Sequence, residues 1–127
     1  NKIRIIMSLK LVFRIFAVVQ FINALGFALF SNTFLEMAGF TVTDSLITLS
    51  QAMGTALLGF GVIAWRSLDI AGDSLPAYGQ VFGIVNSLFV LLIGYHILSG
   101  QVAGPTAYGN MLATIVLAAL FFTQSKK

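Results

Sequence analysis

Gln20, Asn23, Gln51, Asn86 and Asn110 are carboxamides that lie more than a turn inside stretches that are otherwise apolar. A carboxamide offers donors and an acceptor but no charge. It can hold a hydroxyl, a carbonyl or a lipid headgroup, and it cannot serve as a nucleophile or proton carrier. In an apolar medium it needs a partner, because the surroundings cannot hydrogen-bond. Thr55 lies one helical turn beyond Gln51 and extends the set. Two readings are open. These residues either line a polar cavity for a small ligand, or they hydrogen-bond one helix to the next. Uncharged amides often serve as glue between membrane helices, which makes the second reading the default.

His96, beside Tyr95, is the single histidine. A lone membrane histidine can relay a proton or ligate a cofactor. No cysteine and no second histidine accompanies it, so the expected role is interfacial, bonded to backbone or water. The acids Glu36, Asp44, Asp69 and Asp73 all fall between the long apolar stretches. Proton-coupled carriers need an ionisable group within the membrane. The small multidrug-resistance exporters, similar in length, carry a glutamate in their first helix, where this chain has Gln20 and Asn23. No HExxH, GxSxG or phosphate loop is present. No catalytic residue, metal site, cofactor or enzyme activity is expected.

The elements that position these residues follow from composition. Of 127 residues, 58% are hydrophobic and 9% charged, and the mean hydropathy is +0.98. A water-soluble domain of this size could not cover so much apolar surface. The reading is all-α: a single transmembrane domain of four helices, with crossings at about 11–30, 45–66, 76–98 and 106–123. Residues 1–10 form a basic amphipathic lead-in. The first residue is Asn1 rather than Met, so residues are expected upstream, and the first crossing has no cleavage-site pattern and is read as retained.

The second crossing is expected to be the central packing element, touching neighbours on two sides. An Asp44-Ser45 cap signal opens it. At about 100° per residue, Thr48, Gln51, Ala52, Thr55 and Gly59 share one face. Leu46, Leu49, Met53, Leu57 and Phe60 share another, and Ser50, Gly54 and Gly61 form a strip of small residues. In the first crossing Phe13, Phe16, Gln20, Asn23, Ala24 and Phe27 are read as inward, and Val18, Ile22, Leu25 and Leu29 as lipid-facing. In the third, Gly79, Gly83 and Ser87 make a small-xxx-small stripe beside Asn86. Such stripes mark close helix approach in lipid, and Gly59 is read with them as a helix-packing residue.

The basic residues are Lys2, Arg4, Lys10, Arg14, Arg66, Lys126 and Lys127. They fall before the first crossing, at the second-to-third hairpin and after the fourth. The positive-inside rule then puts both termini in the cytoplasm. The pI near 9.6 is read as attraction to anionic headgroups rather than to nucleic acid. Trp65, Tyr78, Tyr95 and Tyr108 sit near helix ends, as interfacial aromatics do. A weak echo pairs Asn23-Ala24-Leu25 with Asn86-Ser87-Leu88, and Gln51-x-x-Gly54-Thr55 with Asn110-x-x-Ala113-Thr114. It reflects either two pseudo-repeated hairpins or coincidence in a Leu/Ala/Gly-rich alphabet.

The run from Gln51 to Arg66, QAMGTALLGFGVIAWR, is followed by Asp69 and Asp73 in a short hairpin and by Phe121, Phe122, Lys126 and Lys127 at the end of the fourth helix. Over roughly 11–127 this resembles small bacterial four-helix integral membrane proteins of unknown function, DoxX-like in size and topology. The resemblance implies a four-helix bundle in a bacterial inner membrane and supplies no catalytic residue. Two functions are carried forward. The leading one is an accessory subunit packed within a larger membrane complex or homo-oligomer, supported by the surplus of small-residue faces. The alternative is a binding module for a lipid, quinone or other apolar molecule, oriented by Gln20, Asn23, Gln51, Thr55, Asn86 and Asn110. A channel or carrier ranks lower. Partners are membrane lipids and other membrane subunits or further copies of the chain.

Overall fold

The structure, a computed structural model, describes residues 2–126, with side chains from Leu9 onward. The side chains of Lys2 and Arg4, and Asn1 and Lys127 as a whole, lie outside the described residues. The chain is all-helical: α1 (Lys2–Leu29), α2 (Ser31–Met37), α3 (Asp44–Ile70), α4 (Leu75–Leu98) and α5 (Pro105–Gln124). A 3-10 turn, Gly72–Ser74, precedes α4. Four of the five helices are long and apolar enough to cross a membrane. At about 1.5 Å per residue, the 27 residues of α3 exceed a hydrocarbon core of roughly 30 Å.

Several boundaries differ from expectation. The basic lead-in is not a separate segment but the first turns of α1. The loop after α1, read as holding a short interfacial turn with Phe34, Leu35 and Met37, carries them on the two-turn helix α2. Thr43, not Asp44, caps α3: its hydroxyl accepts from the Leu46 N–H at 3.2 Å. Asp44 is instead the first helical residue, where its charge meets the positive end of the helix dipole. Pro76 and Pro105 each occupy a first turn, where a missing N–H costs nothing.

The central element is α1, which touches all four other helices; α3 does not hold that place. The two most extensive interfaces are α1 with α3 and α4 with α5. The face of α1 read as inward is buried, from Phe13 (0% exposed) to Phe27 (9%), while Ile22 (57%) and Leu29 (71%) face out. Its aromatics seed the core near the chain termini. Phe13 meets Phe82 and Phe121 edge-on at 5.3 and 5.1 Å between centroids, and Phe82 stacks on Phe121 at 5.7 Å.

Small residues set the helix spacing. A β-carbon on Gly54 would lie 2.8 Å from the Ala28 nitrogen and 2.9 Å from the Ala24 carbonyl oxygen, so only glycine allows α3 this close to α1. Gly61 receives the ring of Phe21. On α4, Gly79 meets Ser125 and Leu9, and Gly83 meets the Phe122 ring. The Ser87 hydroxyl turns back to the Gly83 carbonyl at 2.8 Å. Gly59 is different: nothing within 4 Å would oppose a side chain there. Gly54, Gly61, Gly79 and Gly83 therefore pack within the chain.

Candidate ligand-binding cavity

Beyond Phe16, at the end of the bundle that carries α2, the four long helices spread around a cavity of about 330 Å³. That volume is at the lower end of small-molecule sites, roughly 300–1,000 Å³. Phe16 floors it, resting on Phe82 at 5.2 Å and Phe121 at 5.7 Å. Leu35 on α2 and Ala38 just after it, both buried, cover it.

That cover is fastened by hydroxyls. Ser31 and Ser50 both donate to the Phe27 carbonyl, at 2.6 and 2.7 Å. This carbonyl lies in the last turn of α1, where carbonyls lack intrahelical donors. Thr106 of α5 donates to the Phe34 carbonyl at 3.1 Å, and the Ala103 N–H to the Ala38 carbonyl at 2.8 Å. Gly104, at φ +94°, has the Met37 carbonyl where a β-carbon would go. The loop before α5 can therefore lie directly on α2.

Four of the sequence candidates converge on this cavity: Gln20, Asn23, Asn86 and Asn110. Gln20 and Asn23 are each 8% exposed, and Asn86 is 1% exposed. Their hydrogen bonds do not join helices. Asn23 donates to the Val19 carbonyl at 3.1 Å, Asn86 to Phe82 at 2.8 Å and Asn110 to Thr106 at 3.0 Å, each one turn back on its own helix. The amide of Gln20 has no hydrogen-bond partner among the described residues. One N–H of each asparagine is used, and the second N–H and the side-chain oxygen remain available to a guest.

Gln51 and Thr55 are not in the cavity. Both are exposed on the outer face of α3, with Thr48 and Ala52. The Thr55 hydroxyl bonds to the Gln51 backbone carbonyl at 2.9 Å. The reason is steric: Gly54 and Gly61 fit against α1, and that contact turns Gln51 away from the bundle. Ser50, read as a packing residue, both packs and lines the cavity.

The sequence reading missed three polar lining residues, His96, Thr106 and Thr114. His96 joins Asn86, Phe89 and Ile93 along one stripe of α4, and Thr106 and Thr114 flank Asn110 on α5. The signal was present as spacing: 86, 89, 93, 96 on one helix and 106, 110, 114 on the other, each a single helical face. Among the described residues the lining holds no Asp, Glu, Lys or Arg.

The cavity is half open. The long helices α3 and α4 barely touch. Phe60 and Phe89 cross edge-on between them at 6.5 Å. Towards α2 the rims are apolar and exposed, with Leu49 at 67% and Met53 at 42% on α3 and Leu92 at 48% on α4. A cleft so lined opens sideways, towards the hydrocarbon surrounding a membrane-spanning bundle. Comparison of the chain with protein-family models, curated proteins and solved structures finds no match, so function has to be read from the cavity itself.

Proposed function

We propose that the protein is a membrane binding module for an uncharged amphiphile, a lipid, quinone or other apolar small molecule, held in this cavity and loaded through the α3–α4 cleft. The observation that carries the reading is the convergence of Gln20, Asn23, Asn86 and Asn110 on one apolar-walled space, with no hydrogen bond from their amides to another helix. Free amide groups in such a space favour a guest with carbonyl or hydroxyl groups. The absence of ionisable side chains other than His96 from the described lining disfavours a charged headgroup, because an unpaired charge is costly to desolvate. The apolar cleft suits a tail that stays in the bilayer.

By the positive-inside rule both termini are cytoplasmic, which sets the cavity in the outer half of a bacterial inner membrane. Native mass spectrometry after gentle extraction tests the binding role. The expected result is a bundle carrying one reproducible small adduct of neutral headgroup chemistry. A bundle carrying only bulk lipid contradicts it.

A second reading, an accessory or self-associating subunit, is favoured by one observation. Gln51 points outward from α3 about 10 Å from its start, at 1.5 Å per residue, where hydrocarbon offers its amide no partner. In that reading Gln51→Leu dissociates a defined oligomer or complex while the chain still inserts. An assembly unchanged by Gln51→Leu contradicts it.

A further inference from the structure

A second concavity, sharing no residue with the first, lies in the groove between α1 and α3 towards the terminal end of the bundle. Its walls are Val18 and Phe21 on α1 and Val62, Trp65 and Arg66 on α3, around a volume of about 420 Å³. Val18, Val62 and Trp65 are 47%, 49% and 44% exposed, so the groove faces the surroundings of the bundle and not its core.

Arg66 stands at one end of this groove. On α1, residues 10, 14, 18 and 21 recur at helical spacing, so Lys10 and Arg14 continue the Val18–Phe21 stripe. Gly61 lies against Phe21 and Gly54 against Ala24 and Ala28. This antiparallel register brings Arg14 level with the last turns of α3, where Arg66 is. Arg14 and Arg66 are both exposed. Asp69 approaches only the Nε of Arg66, at 3.6 Å, with both side chains largely in solvent. An exposed pair of that kind is weak, and four terminal N–H donors of the guanidinium remain.

We propose that this groove binds an anionic phospholipid. Its phosphate sits between the Arg14 and Arg66 guanidiniums, which match phosphate oxygens in pairs. One acyl chain follows Val18, Phe21 and Val62 into the bilayer, and the Trp65 indole lies at the glycerol level, where amphipathic rings settle. Two arginines against one carboxylate leave net positive charge at the headgroup, which selects an anionic over a zwitterionic lipid. The cavity among the amides has the opposite preference, so the two sites take chemically distinct guests.

Trp65 is the only tryptophan in the chain, which makes it a built-in reporter. The protein is reconstituted in phosphatidylcholine vesicles containing a small, equal fraction of either phosphatidylglycerol or phosphatidylcholine brominated on the acyl chains. Brominated phosphatidylglycerol is expected to quench Trp65 with an apparent affinity roughly fivefold higher. That preference disappears in Arg14→Gln/Arg66→Gln and persists in Lys126→Gln, which removes a basic charge elsewhere. Equal quenching by the two lipids in the unaltered protein overturns the proposal and requires no variant to fold. A preference that survives the double substitution, or that Lys126→Gln also abolishes, overturns it as well, because the attraction then belongs to the surface in general.

Discussion

The hydroxyl of Ser50 donates a hydrogen bond to the backbone carbonyl of Phe27, 2.7 Å away and 23 residues earlier in the chain. With the Thr106 bond to Phe34, it shows which groups tie the helices of this bundle together. Small hydroxyls make the ties across elements, while the asparagines bond back along their own helices. A hydroxyl close to its backbone can reach a neighbouring helix only where the two approach closely, which the glycines ensure. The larger amides are thereby left for whatever fills the space they surround.

Ser50→Ala should therefore weaken the bundle only slightly. Side-chain hydrogen bonds between membrane helices average about 0.6 kcal/mol. A small shift in the midpoint of denaturation in detergent is expected, with the fold and any bound adduct retained.

Gly54→Leu should be far more damaging. The first added carbon would lie within 3 Å of the Ala28 nitrogen and the Ala24 carbonyl oxygen, and a backbone cannot step aside as a flexible side chain can. Overpacking costs typically about 1–3 kcal/mol or more, and here it strikes the largest interface in the chain. At Gly59 the first added carbon meets nothing within 4 Å, and the same replacement there should be silent. Thermal aggregation of the two variants in detergent, measured side by side, checks the contrast. Gly83→Leu should fall between them, since the Phe122 ring it would displace is 40% exposed and free to swing outward.

Phe121→Ala should remove the keystone of the core. Phe121 is 0% exposed and contacts the rings of Phe13, Phe16 and Phe82. Truncating a buried phenylalanine costs about 3–5 kcal/mol. Because Phe16 is also the cavity floor, loss of bound adduct should accompany the loss of stability in denaturant titrations followed by mass spectrometry.

Thr106→Val should act on exchange more than on folding. It deletes the bond from α5 to the Phe34 carbonyl and leaves the Ala103–Ala38 backbone bond in place. The expected outcome is faster release of a bound adduct, read from its dissociation when the protein is diluted into ligand-free detergent.

These contrasts also mark what was legible in the sequence. The buried face of α1 could be read directly, because its aromatics and amides repeat at 3.6-residue spacing opposite an aliphatic stripe. The four long apolar helices were legible from length and hydropathy alone. The orientation of α3 was not. It offers a polar face with Gln51 and a small-residue strip with Gly54, and polarity alone suggests that Gln51 turns inward. Steric fit decides otherwise, because Gly54 can approach Ala24 and Ala28 where Gln51 could not. The cavity was half legible: the amides stood out as residue types, but their convergence with His96 depends on four helices crossing at set angles, which no single stretch encodes. The cap of α3 was off by one residue, because Thr43 and Asp44 are both good caps and only backbone geometry separates them.

The most direct test of the binding role compares two substitutions of one kind. Asn86→Leu and Gln51→Leu each replace a carboxamide with an apolar side chain within the membrane-spanning part of the bundle. Asn86 lies in the cavity and Gln51 on the outer face of α3. The measurement is the small-molecule adduct retained by each purified variant in native mass spectrometry, against the unaltered chain. The account predicts that Asn86→Leu loses the adduct and Gln51→Leu keeps it. Loss in both, loss in Gln51→Leu alone, retention in both, or no adduct on the unaltered chain would contradict it.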